Sequence, residues 1–248
     1  MYSSDFEKPE NKMKIVFTFS TILLFGFSTS TFEQRNSKVI QFDISPVLNA
    51  SPITTFLDNS LIGWTIGIDG GGQADGYCTK SAALYNKQDT AHALPDDALF
   101  PANHSHPEIQ LHYSSEYSTD NQACSIAGVG AAQFSVPTAK YKAIFLALTS
   151  AEGTSALKIT LIYTDGGIVK NILVPDYYQD LSPTDKNFCY LAHNLAKWGP
   201  DNQMTEKDHH NIDLLKLIPD PKRKVTGIRI SKGKKGFLVF WAAAGEKD

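Results

Sequence analysis

Four side chains able to bind a transition metal, His104, His106, Glu108 and His112, fall within nine residues of the sequence. Alternate residues of an extended strand share a face, so the His-x-His pair and Glu108 would present three donors together, a set suited to zinc or a similar ion. Pro107 interrupts that ladder, and no later Glu and second His follow at the spacing that would complete the set. Three readings therefore stand side by side: metal ligation, a loop and strand that contact carbohydrate, and histidines hydrogen-bonded for structural reasons.

A second group lies between Pro175 and Asp208, where DYYQDLSPTDKN and KWGPDNQMTEKD form the longest stretch expected to be irregular, with only a short strand or helix near Cys189 to Ala196. Sugar recognition needs a flat aromatic ring against the C–H face of a pyranose and planar polar groups for its hydroxyls, set on loops of a rigid frame. Tyr177, Tyr178 and Trp198 supply the rings, and Asp176, Asn194 and Asp201 the polar groups. Trp198 is the preferred platform, whereas Trp64 and Trp241, on strand-like runs, are expected in the core. The plainer alternative has the tyrosines packing over an open sheet edge.

Weaker signals complete the set. Asp69-Gly-Gly-Gly-Gln-Ala-Asp75-Gly76 lacks the Lys-Ser/Thr of a P-loop, so it reads as a turn. Its two carboxylates are also available as oxygen ligands for calcium. Glu206, Asp208, His209 and His210 form a polar cluster that would be a solvated loop or the wall of a site. For an enzyme acting on polysaccharide, paired carboxylates are required, and Asp96, Asp97, Glu108, Glu206 and Asp208 are available. The chain has neither a G-x-S-x-G elbow nor an H-E-x-x-H helix, so no catalytic residue is assigned.

The elements that must position these groups are short runs rich in Val, Ile, Phe, Tyr and Thr, broken by Gly, Pro, Asn and Asp, the pattern of an antiparallel sandwich or barrel. In Ala156 to Tyr163, Leu157, Ile159, Leu161 and Tyr163 share one face, and Asp165-Gly166-Gly167 turns the chain into Ile168 to Val174. Further strands are expected at Val39 to Phe42, Leu61 to Ile68, Cys78 to Tyr85, Ile109 to Tyr113, Gly130 to Val136, Lys142 to Leu148, Ile212 to Ile218, Val225 to Ile230 and Phe237 to Ala242. The run Phe237 to Trp241 is apolar on both faces, as a covered central strand requires.

Residues 15–27, IVFTFSTILLFGF, form an uncharged run preceded by Lys12 and Lys14 and followed by Ser28, Thr29 and Ser30. That is the form of a secretory signal, too short to span a bilayer. Residues 1–30 are accordingly read as a signal peptide with a short extension, translation starting at Met1 or Met13, and residues 31–248 as a single domain. The protein is then expected outside the cell, or in the periplasm, with no membrane partner once the signal is removed. A formal charge of −3 lacks the basic excess that attracts phosphate backbones, which excludes nucleic acid as a partner on bulk electrostatics. Cys78, Cys124 and Cys189 allow one disulfide and lack a CxxC pair.

From Leu157 to Ala243 the sequence resembles the galactose-binding-like β-sandwich, the jelly roll of many carbohydrate-binding modules and glycosidase accessory domains. The resemblance rests on Tyr163-Thr-Asp165-Gly166, Val174-Pro175-Asp176-Tyr177-Tyr178, the run from Leu214 to Ile218 ending in Pro219-Asp220-Pro221, Lys224-Val225-Thr226-Gly227-Ile228-Arg229-Ile230, and the last strand through Phe237 to Trp241. It implies a secreted, non-catalytic glycan-binding protein, with Trp198, Tyr177, Tyr178, Asp176, Asn194, His106 and Glu108 as ligand-contacting residues. The alternatives are an enzyme on polysaccharide, metal-assisted through His104 to His112, and a structural or cell-surface interaction domain. Such domains vary their ligand loops, so the fold alone carries no ligand. No cofactor is assigned; calcium and zinc are the ions that these carboxylate and histidine donors would suit.

Overall fold

The expected hairpin forms between Ser155–Tyr163 and Gly166–Val174, paired in register from Ser155 with Val174 to Tyr163 with Gly166. Leu157, Ile159, Leu161 and Tyr163 are all buried, as their spacing requires. Gly166 follows the two-residue turn at a φ of +129°, which a side chain would resist.

A computed structural model describes residues 38–69, 75–113, 120–233 and 235–247. The segment expected to be a signal peptide and both candidate start residues lie outside them. In chain order the strands are β1 (Val39–Gln41), β2 (Ile53–Leu57), β3 (Ser60–Ile62), β4 (Tyr77–Cys78), β5 (Leu99–Phe100), β6 (Ile109–Gln110), β7 (Cys124–Ala127), β8 (Gly130–Ala139), β9 (Tyr141–Ala151), β10 (Ser155–Tyr163), β11 (Gly166–Val174), β12 (Phe188–Trp198), β13 (Met204–Leu217), β14 (Val225–Lys232) and β15 (Phe237–Lys247). One short helix, α1 (Lys80–Tyr85), follows β4.

The fold is all-β, and its two large sheets are antiparallel. One runs β1-β15-β9-β13-β12, with β7 also on β15, and the other runs β11-β10-β14-β8. Ile159, Leu161, Ile228, Ile230 and Phe134 of the second sheet pack with Leu146, Leu148, Leu215 and Phe240 of the first, forming the core between them. The opposite face of the first sheet is covered too. There Phe145, Ala147, Ile212, Leu214, Val239 and Trp241 pack with Ile53, Tyr77, Leu94 and Ile109 from the chain before β7. Strands β9 and β15 are thus buried on both faces, which accounts for their unbroken apolar runs. Among the described residues no helix is long and apolar enough to cross a membrane.

Several local expectations are corrected. The strand expected over Cys78 to Tyr85 ends at Cys78, because the Thr79 hydroxyl accepts the Ala82 N–H and caps α1. The strand expected from Leu61 to Ile68 ends at Ile62, before Gly63, and the one from Ile109 to Tyr113 ends at Gln110. The irregular stretch from Pro175 to Asp208 instead contains all of β12 and the start of β13. Its alternation is hidden by irregularities in their pairing: the register shifts between Ala192 and Leu195 and again between Leu195 and Lys197. Asn194, Glu206 and His209 adopt positive φ at +57°, +44° and +70°. Each extra residue flips the face presented by the strand, so a period-two pattern cannot be read through it. All three cysteines are free thiols, and the one possible disulfide does not form.

Asp213 stands apart in β13. Its register partners are Leu148 on β9 and Tyr190 on β12, it is buried, and among the described residues no donor reaches its Oδ1. Burial pushes its carboxyl up to about 7.

Candidate functional site

The irregularities in β12 and β13 turn charged side chains toward one another at the hairpin end of these strands. Lys197, next to last in β12, places its Nζ 3.0 Å from Asp69 Oδ2 and 3.2 Å from Glu206 Oε2. Lysine and Asp69 side chains are each only 9% exposed, while Glu206 is 49% exposed. The ammonium also lies 5.5 Å from the ring centroids of both Tyr177 and Tyr178. Two carboxylates and two ring faces thus compensate a charge taken out of water.

His210 closes the other side. Its Nε2 is 3.4 Å from Glu206 Oε2, and its Nδ1 is hydrogen-bonded to the Leu195 carbonyl at 3.0 Å. The imidazole stacks on Tyr177 at 4.8 Å and meets Tyr178 at 4.5 Å, the two phenol rings being 4.6 Å apart. The Tyr177 hydroxyl donates to Asp69 Oδ2 at 3.4 Å, and burial among acidic neighbours pushes its ionisation well up. Burial, then the charges of Asp75 and Asp69, raise the Glu206 carboxyl above its ordinary range. Asp69 Oδ1 accepts the Asp75 N–H at 3.2 Å, and Asp75 Oδ2 accepts the Thr205 hydroxyl at 3.1 Å, so both aspartates of the glycine-rich loop belong to this cluster.

Asp176 orders the tyrosines. Its Oδ2 accepts the Gly153 N–H at 2.6 Å and its Oδ1 the Tyr178 N–H at 3.1 Å. Burial raises this carboxyl, against the Gly153 hydrogen bond and the fields of His210 and Lys197. Tyr177 is buried, whereas Tyr178 keeps 44% of its surface in solvent. The arrangement is a prearranged ring beside a solvent-facing carboxylate, both held by a buried ion pair.

Trp198 is corrected from platform to core. It is fully buried, packed with Cys78, Ala82, Ala83 and Met204, and its Nε1 donates to Asn202 Oδ1 at 3.2 Å. Being next to Lys197 on the strand, it faces the other way. Trp198→Phe is expected to cost about 1–2 kcal/mol of stability by removing that hydrogen bond and to leave ligand binding unchanged; thermal melts together with a binding assay check both halves. Trp241 is core as expected, donating to Thr149 Oγ1 at 2.9 Å, and Trp64 is half-buried, donating to the Trp198 carbonyl at 2.9 Å.

The other expected site residues do not join the cluster in one place. Asn194 is exposed, with its carbonyl on His92 Nδ1 at 2.8 Å. His106 is buried: its Nδ1 lies 2.7 Å from the Pro107 carbonyl and its Nε2 2.8 Å from Asn103 Nδ2, which occupies both ring nitrogens. The same loop meets β12 near Cys189, whose Sγ is 3.8 Å from the Ser105 carbonyl. Cys189 and Leu195 pair with Leu214 and His210, four residues apart on β13 and so roughly 13 Å along it, which sets His106, on the Cys189 side, apart from Tyr178. His104 and Glu108 are exposed, and burial lowers the half-buried His112. Among the described residues no group of three or more His, Cys, Asp and Glu side chains is placed to hold a metal ion, so His104, His106, Glu108 and His112 do not assemble into a ligand set.

Nothing local marks Lys197 as a site residue, and Asp69 stands out in the sequence only as an oxygen ligand for calcium, not as an ion-pair partner. The polar run containing Glu206 and His210 was visible, but its partners come from residues 69, 176–178 and 197.

No family model matches the chain, and no curated protein matches it. Fold and site together define a class only: an antiparallel all-β protein with a buried lysine–carboxylate cluster, backed by tyrosines, at the edge of one sheet.

Proposed function

We propose that the protein is a secreted, non-catalytic glycan-binding β-sandwich of the galactose-binding-like, jelly-roll type, which takes its ligand at Tyr178 and Glu206. The observation that carries this reading is the half-exposed Tyr178 ring, braced by Tyr177 and His210, beside the half-exposed Glu206 carboxylate. A ring fixed before binding offers apolar area to a pyranose without losing rotamer freedom, and the carboxylate accepts hydroxyl protons. The order β1-β15-β9-β13 opposite β8-β14-β10-β11 supports the jelly-roll assignment, with β12 as an added edge strand. The apolar run of residues 15–27 supports export.

Affinity electrophoresis of the protein through gels cast with soluble polysaccharides tests the reading. Retention is expected, and Tyr178→Ala is expected to weaken it about tenfold. Free migration through every gel would favour the structural or cell-surface role instead. The enzyme reading keeps one supporting observation: Asp69 and Glu206 both touch a single ammonium, so the two contacting oxygens are at most about 6 Å apart, a limit that admits the ~5–5.5 Å of a retaining pair and not the wider inverting spacing. Release of reducing sugar by the wild type, lost in Glu206→Gln, would replace binding with catalysis.

A further inference from the structure

A second aromatic group lies on the same strand edge. Tyr190 and His193 of β12 stack with centroids 4.2 Å apart and planes 30° apart. The Tyr190 hydroxyl accepts the Leu181 N–H at 2.7 Å and donates to Asp180 Oδ1 at 3.4 Å, while His193 Nε2 lies 3.9 Å from that same oxygen. The His193 side chain is 39% exposed and that of Asp180 81%. The same short loop holds both groups: Asp176 orders Tyr178 at one end, and Asp180 and Leu181 hold Tyr190 at the other.

The two groups also share a strand level. His210 is bonded to the Leu195 carbonyl and carries Tyr178 on its ring, which places Tyr178 beside Leu195. His193 is two residues away, roughly 7 Å along β12. Gln179 and Asp180, which follow Tyr178 in the chain, are exposed and carry polar groups of the kind that bond hydroxyls.

Resting on the glycan-binding reading, we infer that the ligand is an extended saccharide chain lying along the β12 edge, with one sugar ring on Tyr178 and another against the His193–Tyr190 stack. A single sugar reaches only one platform. A chain engages both without either ring having to move, so the second contact adds affinity at little ordering cost.

Calorimetric titration of the full chain with cello-, xylo-, manno- and chito-oligosaccharides of one to six units tests this. For the series that binds, affinity is expected to rise at least about tenfold from one unit to four. His193→Ala and His193→Gln, changes at an exposed side chain, are both expected to cut that gain below about threefold while single-unit binding stays as in the wild type. Equal affinity for one and four units, or an unchanged gain in both His193 variants, would overturn the inference and leave glycan binding at Tyr178 standing. No binding in any series, or full affinity in Tyr178→Ala, would overturn both.

Discussion

Replacing Lys197 with methionine is expected to lower the free energy of unfolding by about 3–5 kcal/mol and to weaken ligand retention by up to about tenfold. Methionine fills the lysine's volume but carries no charge. Asp69, almost wholly out of water, and Glu206 would then face each other across the space the ammonium held. The cost comes from stranding those charges rather than from losing the worth of the ion pair, since two charges removed from water together recover little net energy. The Tyr177 and Tyr178 rings would also lose the cation that both approach, and with it the brace on the exposed platform. Urea denaturation at neutral pH measures the loss. Two accompanying results follow from the same cause: the deficit narrows in acid as Glu206, whose carboxyl burial already raises, takes up a proton, and Asp69→Asn with Glu206→Gln in the methionine background recovers much of it. A Lys197→Met protein as stable as the wild type would sink this account of the cluster.

Asp213→Asn is expected to have the opposite sign. In the folded protein the Asp213 carboxyl titrates at about 7, well above an ordinary aspartate, because burial disfavours its charge. The folded state therefore binds this proton more tightly than the unfolded chain does. Stability from this residue is greatest below the unfolded pKa, near 4, and falls as pH rises to about 7, beyond which it is flat. Three pH units of separation correspond to roughly 4 kcal/mol. Asparagine does not ionise, so the variant should match the wild type near pH 4 and exceed it by up to that amount at pH 8, a difference read from urea midpoints across the range. Parallel stability curves for the two proteins would show that Asp213 holds its proton no more tightly folded than unfolded, and would overturn this account.

Much of the framework is legible in the residues themselves. Leu157, Ile159, Leu161 and Tyr163 alternate without interruption, and the Asp-Gly-Gly that follows permits only a turn, so the β10–β11 hairpin follows from local chemistry. Phe237 to Trp241 has no polar face, which places it under cover on both sides. The site is less legible. Tyr178 and Asp176 stand out as loop residues with the right chemistry, and both belong to the cluster. Trp198 has the same chemistry, yet it packs inside, because one residue of strand separates its face from that of Lys197.

An all-β protein, its central doubly covered strand and the loop that carries the exposed ring all follow from local sequence, since alternation, turn residues and apolar runs act over a few neighbouring positions. Which charges meet depends on long-range packing. Asp69, Tyr177, Lys197, Glu206 and His210 come from four separate segments, and positive-φ residues reset the face of β12 and β13 just where the pairing matters. A strand's side chains change faces with every added residue, so the partners of Lys197 depend on register, and long-range packing sets the register.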